Sequence, residues 1–186
     1  MKYQFLPQME AYDGSQLRSL FTYMKTELPG NSLTAWMGPC DIPSDKIVDG
    51  EDLLANSEIR GSKMLHFICE KFNSSLAEMV GLQRIFAALS IEVLEEFIGK
   101  RQDFVRKGDD VFYKEGKLSI SIATVSPTSA LFHFAFNVSN EGTPVKTSSL
   151  EELNVEAKIF ADTLGKKFTE EVQDIEFSTQ KVKWVL

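Results

Sequence analysis

Between residues 117 and 138 apolar and polar side chains alternate with a period of two. Phe132, Phe134, Phe136 and Val138 fall on one side of an extended chain, and Leu131, His133, Ala135 and Asn137 on the other. The preceding run alternates in the same way, with Leu118, Ile120 and Ile122 opposed to Lys117, Ser119, Ser121 and Ala123. Ser126-Pro127-Thr128-Ser129 separates the two runs and is rich in turn formers, which predicts an antiparallel pair. With the two apolar sets on one face, the other face gathers Lys117, Ser119, Ser121, His133 and Asn137, while Ala123 and Ala135 leave room above the backbone. Such a face could floor a pocket for a small polar ligand. Antiparallel sheets also commonly turn one face to water. A plainly solvated face, however, favours Lys, Glu, Thr and Arg, whereas small Ser and Ala beside one Lys and one His suggest that something, a ligand or a covering helix, packs close.

The rest of the chain gives a mixture of helices and strands. Residues 2–6 read as a strand stopped by Pro7. After Asp13-Gly14-Ser15, the spacing of Leu17, Leu20, Phe21 and Met24 predicts a one-sided helix ending at Leu28-Pro29-Gly30-Asn31. Residues 32–37 form a short apolar strand, 38–43 a loop stiffened by two prolines and a glycine, and 48–54 a short acidic helix. Residues 56–63 read as a polar loop carrying Ser57, Glu58 and Arg60. In the strand expected over 64–72, His66, Ile68 and Glu70 face away from Leu65, Phe67 and Cys69.

Ser74 or Ser75 caps the longest element, a helix over 76–98 striped by Met79, Leu82, Ile85, Phe86, Leu89, Val93, Leu94 and Phe97. Gly99 followed by Lys100 and Arg101 ends it. A short strand at 104–105 and a hairpin through Gly108-Asp109-Asp110 and Lys114-Glu115-Gly116 come next, with Lys117 opening the return strand. Ser148-Ser149-Leu150-Glu151-Glu152 resembles a helix cap, and a helix over 155–172 carries Ile159, Phe160, Leu164 and Phe168. Residues 177–185 alternate weakly, as a closing strand would. Strands scattered among helices without regular βαβ alternation predict a single α+β domain over 1–186, with a mixed, largely antiparallel sheet flanked by helices.

Composition narrows the function. The 186 residues include 14 Phe and carry a net charge of −7, which favours a filled sheet-and-helix core and disfavours a broad nucleic-acid surface. Two Cys and two His make neither a disulfide framework nor a metal-ligand set. Cys40 beside Asp41 could act as a nucleophile or serve as a structural loop residue. His66 becomes a ligand candidate only if its strand neighbours that of His133. The amino terminus lacks a signal-peptide apolar core, and no stretch approaches the ~20 apolar residues of a membrane helix, so a soluble cytoplasmic protein with reduced thiols is expected. An exposed strand edge would permit a homodimer.

The segment from Lys107-Gly108-Asp109-Asp110 through Lys117-Leu118-Ser119, followed by Phe136-Asn137-Val138, resembles the core of biotin protein ligases and lipoate ligases. That resemblance implies that Lys117 binds an acyl carboxylate and adenylate phosphate, that Asp110 helps hold magnesium, and that ATP and magnesium are the cofactors. Asp109 stands where that family has Asn, Ile120 stands in place of a small glycine, and the nearest counterpart of the glycine- and arginine-rich nucleotide loop is Glu58-Ile59-Arg60-Gly61-Ser62. Over nearly its whole length the chain also resembles the family called domain of unknown function 366. The runs that carry this match are Gly38-Pro39-Cys40-Asp41, Ser57-Glu58-Ile59, Leu65-His66-Phe67-Ile68, the stretch from Ser121 to Pro127 and the stretch from Glu141 to Thr147. This second resemblance implies the fold of class II aminoacyl-tRNA synthetase and biotin ligase catalytic domains without fixing a reaction.

Three functions are consistent with these residues. The first is a ligase or acyltransferase acting on a small carboxylate or nucleotide, with Lys117 as electrostatic anchor and Asp110 as a metal contact. Here Arg60 contacts an anion, and Ser57, Glu58, His66, Ser119, Ser121, His133 and Asn137 shape the pocket. The second is a non-catalytic ligand-binding or regulatory domain that has lost adenylation, consistent with the missing nucleotide loop. The third is a hydrolase using Cys40 with a histidine.

Overall fold

The computed structural model describes residues 1–99 and 103–185. In chain order the elements are β1 (Lys2–Phe5), α1 (Phe21–Thr26), β2 (Ser32–Ile42), α2 (Gly50–Ala55), β3 (Ile59–Phe72), α3 (Leu76–Ile98), β4 (Phe104–Lys107), β5 (Asp110–Tyr113), β6 (Gly116–Lys117), β7 (Ser119–Val125), β8 (Ser129–Asn137) and α4 (Ala157–Gln180). The large sheet has the order β1-β2-β3-β8-β7, and β4-β5-β6 form a small one. β1 lies parallel to β2, and the other pairings between these strands are antiparallel. This is the mixed, largely antiparallel α+β architecture that the alternation and helix stripes predict.

One sheet face carries the phenylalanines. Leu33, Leu65, Phe67, Phe132, Phe134 and Phe136 pack beneath α3 and α4, which contribute Phe86, Phe160 and Phe168. The rings meet edge-on, with centroids 5.0 Å apart for Phe67–Phe86, 5.1 Å for Phe86–Phe168 and 5.1 Å for Phe136–Phe160. Each such pair contributes ~0.5–1.5 kcal/mol beyond the area it buries. The opposite face holds a second cluster of Tyr12, Phe21, Trp36, Met64, Ile68, Leu131 and Ala135. Residues 6–12 cover it by running beside β2, with Leu6 N donating to Ala35 O at 2.8 Å and Tyr12 N to Pro39 O at 2.8 Å. Gly38 permits this crossing, because a Cβ there would overlap the carbonyl of Glu10. Trp36 Nε1 donates to that same carbonyl at 2.9 Å.

The long helix forms as its caps predict. Ser75 Oγ accepts from Glu78 N at 3.1 Å, and Gly99 closes the helix at φ +66°. Lys100 and Arg101, expected to follow that glycine, lie outside the described residues.

Four elements differ from the sequence expectation. The first helix starts at Phe21, because Glu70 of β3 captures the preceding chain. The Glu70 carboxylate accepts from Leu20 N at 3.0 Å, from Ser19 Oγ at 3.1 Å and from Ser129 Oγ at 2.7 Å. Leu20 is thereby held at φ 64°, and Leu20 and Met24 of the expected stripe are exposed. Residues 38–42 are not a loop: β2 continues through them to Ile42 with a register shift between Gly38 and Cys40, so Pro39 sits at a bulge where no ladder donor is needed. Residues 59–63, expected as loop, are strand because they pair with that extension. Finally, 177–185 is no strand, since α4 runs on to Gln180 and leaves Val182, Trp184 and Val185 exposed. Its buried stripe is Phe160, Leu164, Phe168 and Val172, and Ile159 points outward.

Replacing Gly38 by Ala is expected to cost about 2–3 kcal/mol, because the Leu6–Tyr12 crossing must move off β2. Urea unfolding measures it, and a loss below about 0.5 kcal/mol would show that the crossing is not tight.

Candidate functional site

The register of β7 on β8 decides which side chains meet. Ile120 faces Ala135 and Ile122 faces His133, whereas Ser119 faces Phe136 and Ser121 faces Phe134. Residues directly opposite share a face, so the single polar face expected from alternation is divided. The isoleucines stand beside His133, and the two serine positions lie on the helix side. The cause is an irregular residue: β6 ends at Lys117, Leu118 N donates to Val111 O at 2.8 Å, and Asn137 N donates to Leu118 O at 2.9 Å. This break slips the alternation by one residue, which moves every later side chain to the other face.

Both serines are engaged in structural bonds. Ser119 Oγ accepts from Val111 N at 2.9 Å. Ser121 Oγ donates to Asp109 Oδ2 at 2.7 Å and accepts from Gln83 Nε2 at 2.8 Å. Arg84 Nη1 pairs with Asp109 Oδ1 at 3.1 Å, so α3 grips the 108–110 turn. Gly108, at φ +68°, leaves the room that the Arg84 guanidinium occupies.

A cavity of about 400 Å³ opens on the second sheet face, between α2, the 109–122 segment, β8 and the loop at 143–147. Of the predicted residues, Ser57, Glu58, Arg60, Asp110, Lys117, Ser121, His133 and Asn137 line it, and Ser119 and His66 do not. Tyr12, Lys46, Asp52 and Thr147 also line it and were not expected as site residues, being brought in from parts of the chain distant in sequence.

Lys117 is held firmly. Its N donates to Lys146 O at 3.2 Å, and its carbonyl accepts from Ser148 N at 3.1 Å and from Asn137 Nδ2 at 3.0 Å. Asn137 therefore spends its amide on positioning this backbone. Lys117 Nζ lies 2.9 Å from Asp110 Oδ2, with the two side chains 31% and 28% exposed. Burial pushes the Asp110 carboxyl up, against the lowering pull of Lys117. The other lining cations are also paired, Arg60 with Glu58 at 2.8 Å and Lys46 with Asp13. Asp49, Glu51, Asp52 and Asp109 add further carboxylates, so the walls are net negative.

At the cavity floor two buried imidazoles meet. His66 Nε2 lies 3.2 Å from Gly38 O and His66 Nδ1 lies 3.1 Å from His133 Nε2. The His66 and His133 strands are indeed neighbours. Tyr12 stacks on His133 with centroids 3.7 Å apart. Burial lowers the His66 pKa from 6.5 to about 4, and burial together with His66 lowers that of His133 well below its usual range. Both rings are neutral at physiological pH.

Cys40 and Cys69 are buried, and burial pushes the Cys40 thiol up to about 12. Such a thiol is protonated and shielded, the reverse of an activated nucleophile. Among the described residues, no group of three or more His, Cys, Asp or Glu is placed to hold a metal ion, and no helix is long and apolar enough to cross a membrane.

This arrangement of sheet and helices is that of the biotin and lipoate ligase fold. A biotin protein ligase variant from Aquifex aeolicus in complex with biotin superposes with a TM-score of 0.60 at 17% identity, covering 93% of this chain and 70% of that one. A T. acidophilum protein assigned as a lipoate protein ligase, with bound lipoic acid, gives 0.57 at 13% identity, covering 93% of this chain and 86% of that one. The chain itself belongs to the family described as Domain of unknown function (DUF366), whose model matches residues 1–183. A protein of unknown function from Pyrococcus horikoshi shares 34% identity and a TM-score of 0.93, over 99% of this chain and 98% of that one. An uncharacterized protein of Methanocaldococcus jannaschii is 25% identical over 150 residues. That match covers 77% of this chain and 66% of the relative, slightly under two thirds of its length.

Two measurements follow from burial. Below pH 6.5 the unfolded chain protonates His66, which the folded chain leaves neutral down to about 4, so stability falls as pH drops through that window. His133 acts in the same direction. Urea unfolding at pH 7 and pH 4.5 is expected to differ by on the order of 1–3 kcal/mol, with a flatter dependence in the doubly substituted His66→Gln, His133→Gln protein. An equally steep dependence in that variant would rule the histidines out as its source. Neither cysteine should react with iodoacetamide in the native protein at pH 8, and both should react in urea. Rapid native labelling of Cys40 would revive the nucleophile reading.

Proposed function

We propose that this protein binds a small carboxylate or nucleotide in the cavity described above and acts as a ligase or acyltransferase, with Lys117 as the electrostatic anchor. The observation that carries this reading is the half-buried Lys117–Asp110 pair, 2.9 Å apart on the cavity wall. A partly desolvated ammonium stabilises the negative charge of a carboxylate or acyl phosphate more than an exposed one would. Its backbone is held on both sides, so the charge sits on a rigid support. The biotin and lipoic acid bound by the neighbouring ligases are suitable first ligands to try.

Asp110 is the competitor for Lys117. An anion that takes the ammonium leaves Asp110 in a negative wall, and its raised pKa lets it take up a proton there. Magnesium fits the chain's own residues poorly. Asp109 and Asp110 are both committed to ion pairs, and no third metal-binding group joins them among the described residues. A magnesium ion carried by a nucleotide would arrive as part of the substrate.

The second reading, a binding or regulatory domain without adenylation, is favoured by the 58–62 segment. There the chain is mostly strand, and Arg60 is paired with Glu58, so this segment does not present the row of backbone N–H groups that cradles a triphosphate.

Calorimetric titration with biotin, lipoic acid and ATP is expected to give binding that weakens at least about tenfold in Lys117→Ala. In Asp110→Asn the anion affinity should rise, because the ammonium loses its competitor. Identical titrations in Lys117→Ala and the native protein would refute the anchor. Pyrophosphate release from ATP, magnesium and a panel of carboxylic acids selects the ligase, and binding without release selects the second reading.

A further inference from the structure

The hydrogen-bond chain at the cavity floor has only one consistent polarity. The Gly38 carbonyl can only accept, so His66 Nε2 carries the proton. His66 Nδ1 then presents a lone pair, and the contact with His133 Nε2 requires that nitrogen to donate. His133 is left with a bare lone pair on Nδ1. The ring is 2% exposed and forms part of the cavity wall, and no described residue donates to this atom. Among the described residues the fully buried side-chain polar atoms without a hydrogen-bond partner are Ser32 Oγ and Arg84 Nη1, so His133 Nδ1 keeps contact with the cavity space, where it can accept from a ligand.

We infer that His133 Nδ1 is a fixed acceptor at the cavity floor that recognises a neutral N–H or O–H donor on the ligand, with His66 as the positioning residue that sets its tautomer. The proposal rests on the cavity being the ligand site proposed above, but not on Lys117. A carboxylate end is excluded from this position, since an acceptor would face a lone pair. A cationic end is disfavoured by the cost of burying charge beside Tyr12, Met64 and Ile120. The stacked Tyr12 and the flanking isoleucines favour a flat group, such as a heterocyclic or amide N–H, approaching the ring edge. The neutrality of both imidazoles agrees with this polarity, because a protonated His133 would lose its acceptor.

The test uses pyrazole, which carries the donor, and 1-methylpyrazole, which lacks it. Two-bond ¹H–¹⁵N spectra of the full-length protein should show His133 protonated on Nε2 and bare on Nδ1. Pyrazole should shift the His133 Nδ1 resonance upfield and bind about tenfold more tightly than 1-methylpyrazole. His66→Phe, which removes the acceptor that orients His133, should give mixed tautomers and erase the preference. If that variant fails to fold, the native spectra decide alone. Protonation of His133 on Nδ1, or equal responses to the two probes, would overturn the inference. Lys117→Ala should retain the pyrazole response while losing carboxylate binding, so failure of one proposal is separable from failure of the other.

Discussion

The antiparallel pairing of β3 with β8 is the constraint on which the rest of the molecule depends. It sets Phe67 against Phe134 and Ile68 against His133, and so sorts two long strands into a phenylalanine face and an imidazole face in one step. A slip of one residue would put the phenyl rings under residues 6–20 and the histidines under α3. The cost of that exchange makes the register secure. The same register brings His66 and His133 to 3.1 Å and places His133 under Tyr12. The aromatic packing of one face and the polar chain of the other are therefore two results of a single set of backbone bonds.

A second constraint acts at the edge of that sheet. The return strand serves two sheets, with Lys117 belonging to β6 in the small one and Ser119 to β7 in the large one. Leu118 makes the transition, and Asn137 and Ser148 hold the backbone on either side of it. The break turns Lys117 toward the cavity while Leu118 remains in the core. It also leaves the lysine near Asp110, the first residue of the strand that pairs with its own. The site's principal charge pair is thus a product of the hairpin that joins the two sheets. Every lining cation is already paired and the walls are net negative, so an anion entering the cavity would have to compete with a carboxylate for an ammonium, with no long-range attraction to draw it in.

Much of this was legible beforehand wherever a local rule acts alone. The α3 helix shows its serine cap, its stripe and its terminal glycine within one continuous stretch. The alternation of 131–138 and the turn at 126–129 are equally local. The first helix failed as an expectation because Glu70, fifty residues later, offers its carboxylate to the backbone of Leu20. The 38–43 loop failed because a bulge lets Pro39 sit within a paired strand. The polar face was divided because the phase of alternation passes through Leu118, and the sequence carries no mark of that irregular residue.

By itself, then, the sequence determined the strand periods, the caps of the long helix, the α+β class and the membership of Lys117, Asp110 and His133 in one neighbourhood. These follow from interactions within a few residues, or from motifs shared with related chains. Tertiary structure alone decided which side of the sheet Ser119, Ser121 and Ile120 face, why Glu70 is buried, and which nitrogen of His133 meets His66. Those outcomes depend on hydrogen-bond register between strands far apart in the chain, and a period of two specifies alternation without specifying its phase relative to a neighbour.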